Sequence, residues 1–263
     1  MALDLLDQPR LIFERNPLQT VVVQVRFPPI FALEQPAGVA SFQERIRDEY
    51  PQAEGRGQQV NVLVGPSGVS APNTQLGPWR FLSEDGSWVA AVAPDFVSLE
   101  TTSYLRFEDF AARANRLFIA AAETLGLSHR GRLGLRYINQ LRHPDARTVV
   151  DWRRYLEDDL LGAVGGELLR EHVVQAFQQI ELALDAGRMT IRHGFVREDE
   201  QRSMYLLDLD AYDETMSPFK PDEIIEKMGV LKRWVWNAFR RSITDDLVKY
   251  LGPRDLNATD ARS

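Results

Sequence analysis

The sequence predicts an α+β fold of largely antiparallel sheets, arranged as two similar halves that each follow a run of strands with a long helix. Three observations carry that prediction. Strand-like segments come in runs instead of alternating one for one with helices, which favours α+β over a parallel α/β sheet. Turn signals at Glu84-Asp85-Gly86 and Ala186-Gly187 join neighbouring strands as hairpins. Two long segments, Phe107–Leu125 and Pro221–Arg241, gather apolar residues on one helical face.

Between Leu18 and Phe27, Val21, Val23, Val25 and Phe27 alternate with Val22, Gln24 and Arg26, the period-two pattern of a strand. Pro28-Pro29 stops it, because proline cannot donate to a ladder. Ala40–Tyr50 reads as a short amphipathic helix ended by Pro51. A Gly- and Gln-rich connector, Glu54–Gln59, leads to a brief strand at Val60–Val64. Gly65–Gly77 holds two prolines and three glycines and reads as a loop. Trp79–Ser83 and Ser87–Val92 flank the Asp-Gly turn, and Phe96–Thr102 continues the meander. In Phe107–Leu125, the residues Phe107, Phe110, Ala111, Ala114, Leu117, Phe118, Ala121 and Leu125 share a face. Glu108 and Asp109 suit the positive N-terminal end of that helix, and Gly126 caps its other end. Leu133–Leu141 returns as a strand.

In the second half, Asp151–Leu161 reads as a helical connector broken by Gly162, Gly165 and Gly166. Strands are predicted at His172–Asp185, Arg188–Val196 and Arg202–Tyr212. Pro221 opens a helix to about Arg241, with Ile243–Leu251 as its extension, and the polar residues after Pro253 read as a mobile tail. The expected division is residues 12–150, residues 151–251 and a tail at 252–263, with the halves packed as one compact unit.

Composition narrows the chemistry. The chain has 263 residues, 44% of them hydrophobic, enough for a sizeable core. It contains no cysteine, which removes a disulfide framework, a Cys-based zinc site, an iron–sulfur cluster and a Cys nucleophile together. A reducing compartment fits that absence. Met1–Asp7 has two acids and neither a basic nor an apolar run, so it does not read as a signal peptide. No window approaches the ~18 apolar residues of a spanning helix. The expectation is a cytoplasmic protein without a membrane partner. Net charge is −7, and residues 151–215 hold 7 basic against 15 acidic side chains. Nucleic acid is therefore not an expected partner, since backbone binding needs a concentrated positive face. Arg makes up 27 of the 31 basic residues, which genome base composition explains more simply than anion recognition does.

Several groups have the residue types of a site. Asp208 and Asp210 lie two apart on a predicted strand and share a face, as a Mg²⁺ or Mn²⁺ pair would; the plainer reading is an exposed polar face opposite Leu207 and Leu209. His129, His143, His172 and His193 lack zincin spacing and read as loop or strand-end residues. Gly65-Pro66-Ser67-Gly68 has the wrong spacing for a nucleophile elbow and reads as a turn. Gly162-Ala163-Val164-Gly165-Gly166 lacks the Lys-Ser/Thr of a phosphate loop. Arg132 and Arg136 recur on one face of Leu133–Leu141 and its approach, as an anion or partner contact or as arginines salt-bridged to the acidic second half. On the last long helix, Ile224, Met228, Leu231, Val235, Ala238 and Phe239 form the docking stripe. Ile225, Trp234 and Trp236 widen it to about 200° of arc, more than one-sided docking requires. Those three are the candidate partner contacts, most simply for a homodimer, unless a neighbouring loop or Ile243–Leu251 covers them.

Asn16-Pro17-Leu18 leading into Arg26-Phe27-Pro28-Pro29, the Trp79-Arg80-Phe81 and Trp88-Val89 hairpin, and Leu135-Arg136-Tyr137-Ile138-Asn139 together form a recognisable set. With Tyr205-Leu206-Leu207-Asp208-Leu209-Asp210 and the Trp234 helix, the chain resembles an uncharacterised, sporadically distributed bacterial family over roughly residues 12–250. The resemblance implies a bacterial origin and a cytoplasmic α+β protein encoded in a mobile or defence-associated cassette. It implies no known reaction and no catalytic residue.

The resulting expectation is a non-enzymatic protein-interaction component, accessory to a bacterial defence or toxin–antitoxin type cassette, with no cofactor. A protein partner, or a second copy in a homodimer, is its expected partner. An alternative is a small-ligand-binding domain with a cavity between the halves lined by Trp79, Trp88, Tyr104 and Tyr137. A third is a metal-dependent hydrolase using Asp208 and Asp210.

Overall fold

The alternation of Val21, Val23 and Val25 becomes a strand with all three valines fully buried. That strand is β2 (Leu18–Arg26), preceded by a short β1 (Leu11–Phe13), in a computed structural model that describes residues 7–61, 64–65, 68–69, 73–162, 166, 172–199 and 202–255. The first helix, α1 (Pro36–Ile46), begins four residues before the expected start at Ala40 and ends before Tyr50. Proline is the reason for the early start: Pro36 occupies the first turn, where its missing N–H would have had no partner.

Next come β3 (Gln52–Glu54), β4 (Gln58–Asn61), β5 (Val64–Gly65), β6 (Gly68–Val69) and β7 (Asn73–Leu76). The segment read as a loop, Gly65–Gly77, thus contains paired backbone: β4 pairs with β7 and β5 with β6, both antiparallel. Gly65 and Gly68 stand opposite each other in the shorter ladder. Pro66 and Ser67 lie outside the described residues.

The meander follows as β8 (Trp79–Leu82), β9 (Trp88–Ala93) and β10 (Phe96–Thr101), successive neighbours antiparallel. At the Asp-Gly turn, Gly86 N–H donates to Ser83 C=O at 3.0 Å or less (2.9 Å), closing a tight turn. The long helix is α2 (Phe107–Leu125), as expected from its stripe, and Gly126 ends it at φ 65°, a left-handed conformation that glycine adopts without steric cost. Phe110, Leu117 and Phe118 are buried on it, each stabilising by roughly 1.5–3 kcal/mol.

Then come β11 (His129–Arg130), β12 (Leu133–Leu141), a 3₁₀ turn at Asp151–Arg154 and α3 (Asp158–Leu161). The expected single connector is therefore two short helical pieces, and Gly162 follows at φ 45°. Gly165 lies outside the described residues. The strands β13 (Gln175–Leu184), β14 (Gly187–Arg197) and β15 (Ser203–Asp213) form an antiparallel meander, followed by β16 (Ser217–Pro218). Pro221 opens α4 (Pro221–Ser242). Ile243–Leu251 does not extend it: Thr244 accepts from Leu247 N–H and starts a separate α5 (Asp245–Leu251). The tail expected from residue 252 begins with β17 (Pro253–Asp255), which pairs antiparallel with β1. Residues 256–263 lie outside the described residues.

Two compact units divide the chain, and neither is continuous in sequence. The first holds residues 1–21, 134–213 and 226–263; its strands run β13-β14-β15-β12, and it also contains the separate β1–β17 ribbon. Its core contains Trp152, Phe195, Tyr205, Leu207 and Leu209, with Met228, Leu231 and Val235 from α4. The second holds residues 22–133 and 214–225, and its strands run β2-β10-β9-β8-β3. There α2 packs against α1 and β10, and Arg116 grips Glu49 through two hydrogen bonds of 2.6 and 2.9 Å. The architecture is α+β with antiparallel sheets. Among the described residues no helix is long and apolar enough to cross a membrane.

Candidate functional site

The four-stranded run of the first unit has two chemically distinct faces, and strand parity sets them. On one face, Met189, Ile191, His193 and Phe195 of β14 stand opposite Ala211, Leu209, Leu207 and Tyr205 of β15, and all eight are buried. On the other, Gln179, Arg192 and Asp208 fall in one cross-strand row of β13, β14 and β15.

That row is hydrogen-bonded throughout. Arg136 of β12 donates through Nε and Nη2 to the two carboxylate oxygens of Asp208, at 2.7 and 2.6 Å. Arg192 donates to Gln179 at 3.2 Å and reaches Asp208 at 3.5 Å and Asp210 at 3.8 Å. The Asp208 side chain is only 3% exposed, while Arg136 and Arg192 remain 41% and 37% exposed. Asp208 and Asp210 are thus buried, not the exposed polar face expected: long guanidinium side chains from the neighbouring strands roof the short carboxylates. A buried carboxylate held by a bidentate arginine is a structural ion pair whose oxygens already have donors. Among the described residues, no group of three or more His, Asp or Glu side chains is placed to hold a metal ion. Further along this face the chemistry repeats closer to solvent, diagonally between two rows. Glu181 accepts from Arg188 at 2.8 Å and from the Tyr212 hydroxyl at 3.0 Å, and the Arg188 bond, then the tyrosine, holds its carboxyl below the usual range.

On the apolar face sits a histidine that the sequence places at a loop or strand end. His193 lies mid-strand and fully buried. The Tyr205 hydroxyl donates to Leu160 C=O at 3.2 Å, so it accepts from His193 Nδ1 at 2.7 Å, which assigns the proton to Nδ1. His193 Nε2 is buried without a hydrogen-bond partner. Burial pushes the imidazole pKa down and the Tyr205 phenol up. Of the other histidines, His143 lies between the Tyr155 and Tyr250 rings at 4.0 and 4.1 Å, His129 is in β11, and His172 is exposed ahead of β13.

The candidate partner contacts on α4 are all half-buried. Trp236 donates to Pro9 C=O at 3.1 Å and lies 6.2 Å from the Phe13 ring, so the N-terminal segment covers that flank. Trp234 approaches β14: a Cβ built on Gly187 would stand 3.1 Å from its ring. Ile225 belongs to the second unit. The four aromatic side chains proposed to line a cavity have other contacts or places. Trp79 donates to Leu33 C=O at 2.8 Å, and Trp88 and Tyr104 both pack on Phe110, at 6.0 and 5.8 Å. Tyr137 is half-buried in the first unit. Arg132 is half-exposed at the approach to β12.

The feature that sequence reasoning missed is the outer side of β13. Among the described residues this ten-residue strand pairs with β14 alone. Eight large apolar side chains are exposed among the described residues, and three of them, Val174 (60%), Phe177 (53%) and Ile180 (37%), fall within one seven-residue stretch. Between Gln175 and Leu184 the only charged residue is Glu181. Main-chain polarity is legible too. Arg197 N–H donates to Val174 C=O at 3.0 Å, which makes Val174 and Arg197 a hydrogen-bonded pair. By the alternation of an antiparallel ladder, even-numbered residues of β13 then face β14, and Gln175, Phe177, Gln179, Glu181 and Ala183 turn their N–H and C=O groups outward. Phe177 is held flat by its cross-strand partner Gly194, where an added Cβ would lie 2.3 Å from both the Ala176 carbonyl and the Phe177 ring. The available signal was a strand with apolar side chains on both faces and almost no charge. Compared with protein-family models, with curated proteins and with solved structures, the chain gives no match.

Proposed function

We propose that this chain is a non-enzymatic protein-interaction component that docks an extended segment onto the outer side of β13. The supporting observation is the pairing of outward main-chain groups with exposed Val174, Phe177 and Ile180 on one long, nearly uncharged edge. A strand added there gains main-chain hydrogen bonds from the odd-numbered residues and apolar contacts on both faces. Uncovered edges of this kind promote aggregation, so natural proteins blunt them with charge, proline or short length. None of those devices is present between Gln175 and Ile180.

The Asp208 and Asp210 pair supports the hydrolase reading poorly, because Asp208 is committed to Arg136 and Arg192. A cytoplasmic location rests on the cysteine-free composition. Membership of a defence or toxin–antitoxin type cassette rests on the family resemblance alone.

Native purification from the source cell, followed by mass spectrometry, tests the interaction reading. The expected result is a stoichiometric polypeptide, another protein or a second copy, that is lost when Phe177→Lys is introduced. A wild-type chain recovered as a monomer without another polypeptide, or a complex indifferent to Phe177→Lys, removes the proposal.

A further inference from the structure

Resting on that edge-docking reading, we propose that the strand seated on β13 is the β13 of a second copy, paired antiparallel about a two-fold axis at Phe177. The argument begins with main-chain direction. Only odd-numbered residues of β13 offer outward N–H and C=O groups, so a self-paired edge must set odd residues opposite odd ones. Two residues related by such an axis have numbers that sum to a constant, and parity makes that sum even. Few registers remain.

Side chains choose among them. With the axis at Phe177, that ring meets its own copy, and Val174 stands opposite Ile180 of the second copy. All three exposed apolar side chains are then covered by one another, on both faces of the sheet. Gln175 stands opposite Gln179, where amides can donate and accept mutually. Glu181 stands opposite Val173, so no carboxylate meets its copy. Moving the axis to Gln178 sets Phe177 against Gln179 and Ile180 against Ala176. Moving it to Gln179 sets Phe177 against Glu181, and an axis at Glu181 opposes two carboxylates. The spacing of the apolar residues, three on either side of Phe177, is symmetric about one point. A heterologous partner has no need of that symmetry; a second copy does.

The axis also sets a hydrogen-bonded pair at its centre, with Phe177 N–H donating to the Phe177 C=O of the other copy and the reverse bond completing it. In such pairs Cα atoms stand about 5.5 Å apart, within disulfide range. Gln175 and Gln179 of the two copies form the same kind of pair. The chain has no cysteine of its own, so introduced thiols report without background.

The test combines sedimentation of the full chain with cysteine pairing. Wild type is expected to dimerise reversibly, and Phe177→Lys is expected to weaken the dimer by about tenfold or more, as loss of a central anchor does, with its thermal melting point as monomer retained. The double variant Gln175→Cys/Gln179→Cys, which keeps Phe177, is expected to form covalent dimers on mild oxidation. Neither single variant is expected to crosslink alone, while a mixture of the two is. Within one chain the two positions stand about 13 Å apart along the strand, too far to bridge. Efficient crosslinking of a single variant overturns the register. A wild-type chain that stays monomeric overturns self-pairing. If that monomer nevertheless carries another polypeptide released by Phe177→Lys, edge docking stands and only the second-copy assignment falls. If it carries none, both fall.

Discussion

The two units end their strand runs in opposite ways. In the second unit the last strand is β3, three residues long and exposed throughout, with side chains tied back to their own unit. Glu54 accepts from Arg80 at 3.0 Å, and Gln52 donates to Glu84 C=O at 2.8 Å. In the first unit the last strand is β13, ten residues long, nearly uncharged and carrying exposed Phe177 and Ile180. A short charged terminus of a sheet offers a newcomer few bonds and a desolvation cost; a long neutral one offers many bonds at little cost. The same chain protects one edge and leaves the other suited to addition. The docking proposal rests on that asymmetry.

The contrast can be broken first at glycine. Gly194→Ala drives a methyl into the Ala176 carbonyl, which cannot move without breaking the β13–β14 ladder, and is expected to destabilise by about 3 kcal/mol. Gly55→Ala, next to β3, meets nothing within 4 Å and is expected to change stability by about 0.5 kcal/mol or less. Urea denaturation of the two variants measures both, and equal losses would remove Phe177 and Gly194 from the account of how β13 is held.

Arginine deletion gives a smaller effect. Arg136→Ala leaves a carboxylate that is 3% exposed without its bidentate partner, at a cost of about 2–3 kcal/mol after allowing for the half-exposed arginine. Arg80→Ala releases Glu54 into water, and a loss of about 0.5 kcal/mol or less is expected. Denaturant midpoints decide, and a similar loss at both sites would mean that Asp208 is rehydrated freely.

The smallest effect is expected from acid. His193 is buried and neutral, with its pKa depressed by desolvation; His143 is shifted in the same direction by the same cause. The unfolded chain therefore takes up these protons first. Stability is fully present above the unfolded histidine pKa of about 6.5 and is lost as pH falls below it. His193→Gln is expected to flatten the fall between neutral and mildly acidic pH without abolishing it, because His143 still titrates. A pH profile identical to wild type would show that His193 stays neutral-equivalent in both states.

Much of the architecture was legible. Phe107–Leu125 and Leu133–Leu141 appear with the predicted bounds because each carries a local signal: an unbroken apolar stripe closed by Gly126, and a run with Leu133, Leu135 and Leu141 on one face. The register of apolar side chains in β2 was equally local. What stayed hidden is non-local. Alternation predicts that Asp208 and Asp210 share a face, but not that guanidinium groups from β12 and β14 cover it. The lack of charge in β13 was legible, but it does not say whether the far side of the strand has a neighbour, so the exposure of Phe177 awaited the strand order. The early start of α1 was a missed local rule, since Pro36 is a first-turn residue. The α4 stripe docks as read, whereas covering Trp236 required Gln8, Pro9 and Phe13 from the other end of the chain.

The β1–β17 ribbon carries a consequence for the order of folding. Glu14, next to β1, and Arg254, in the middle of β17, bond at 2.8 Å and are 240 positions apart. Joining so distant a pair costs about 3 kcal/mol more in chain entropy than closing an eight-residue hairpin. Three rungs of main-chain bonding between Leu11–Phe13 and Pro253–Asp255 contribute about 1.5–4.5 kcal/mol net, which does no more than balance that cost. The ribbon is therefore expected to form after the strands and α4 have brought its ends together, as a clasp that closes last and opens first. Trp236, whose indole rests on the segment leading into β1, is placed to report that final step as a late change in fluorescence.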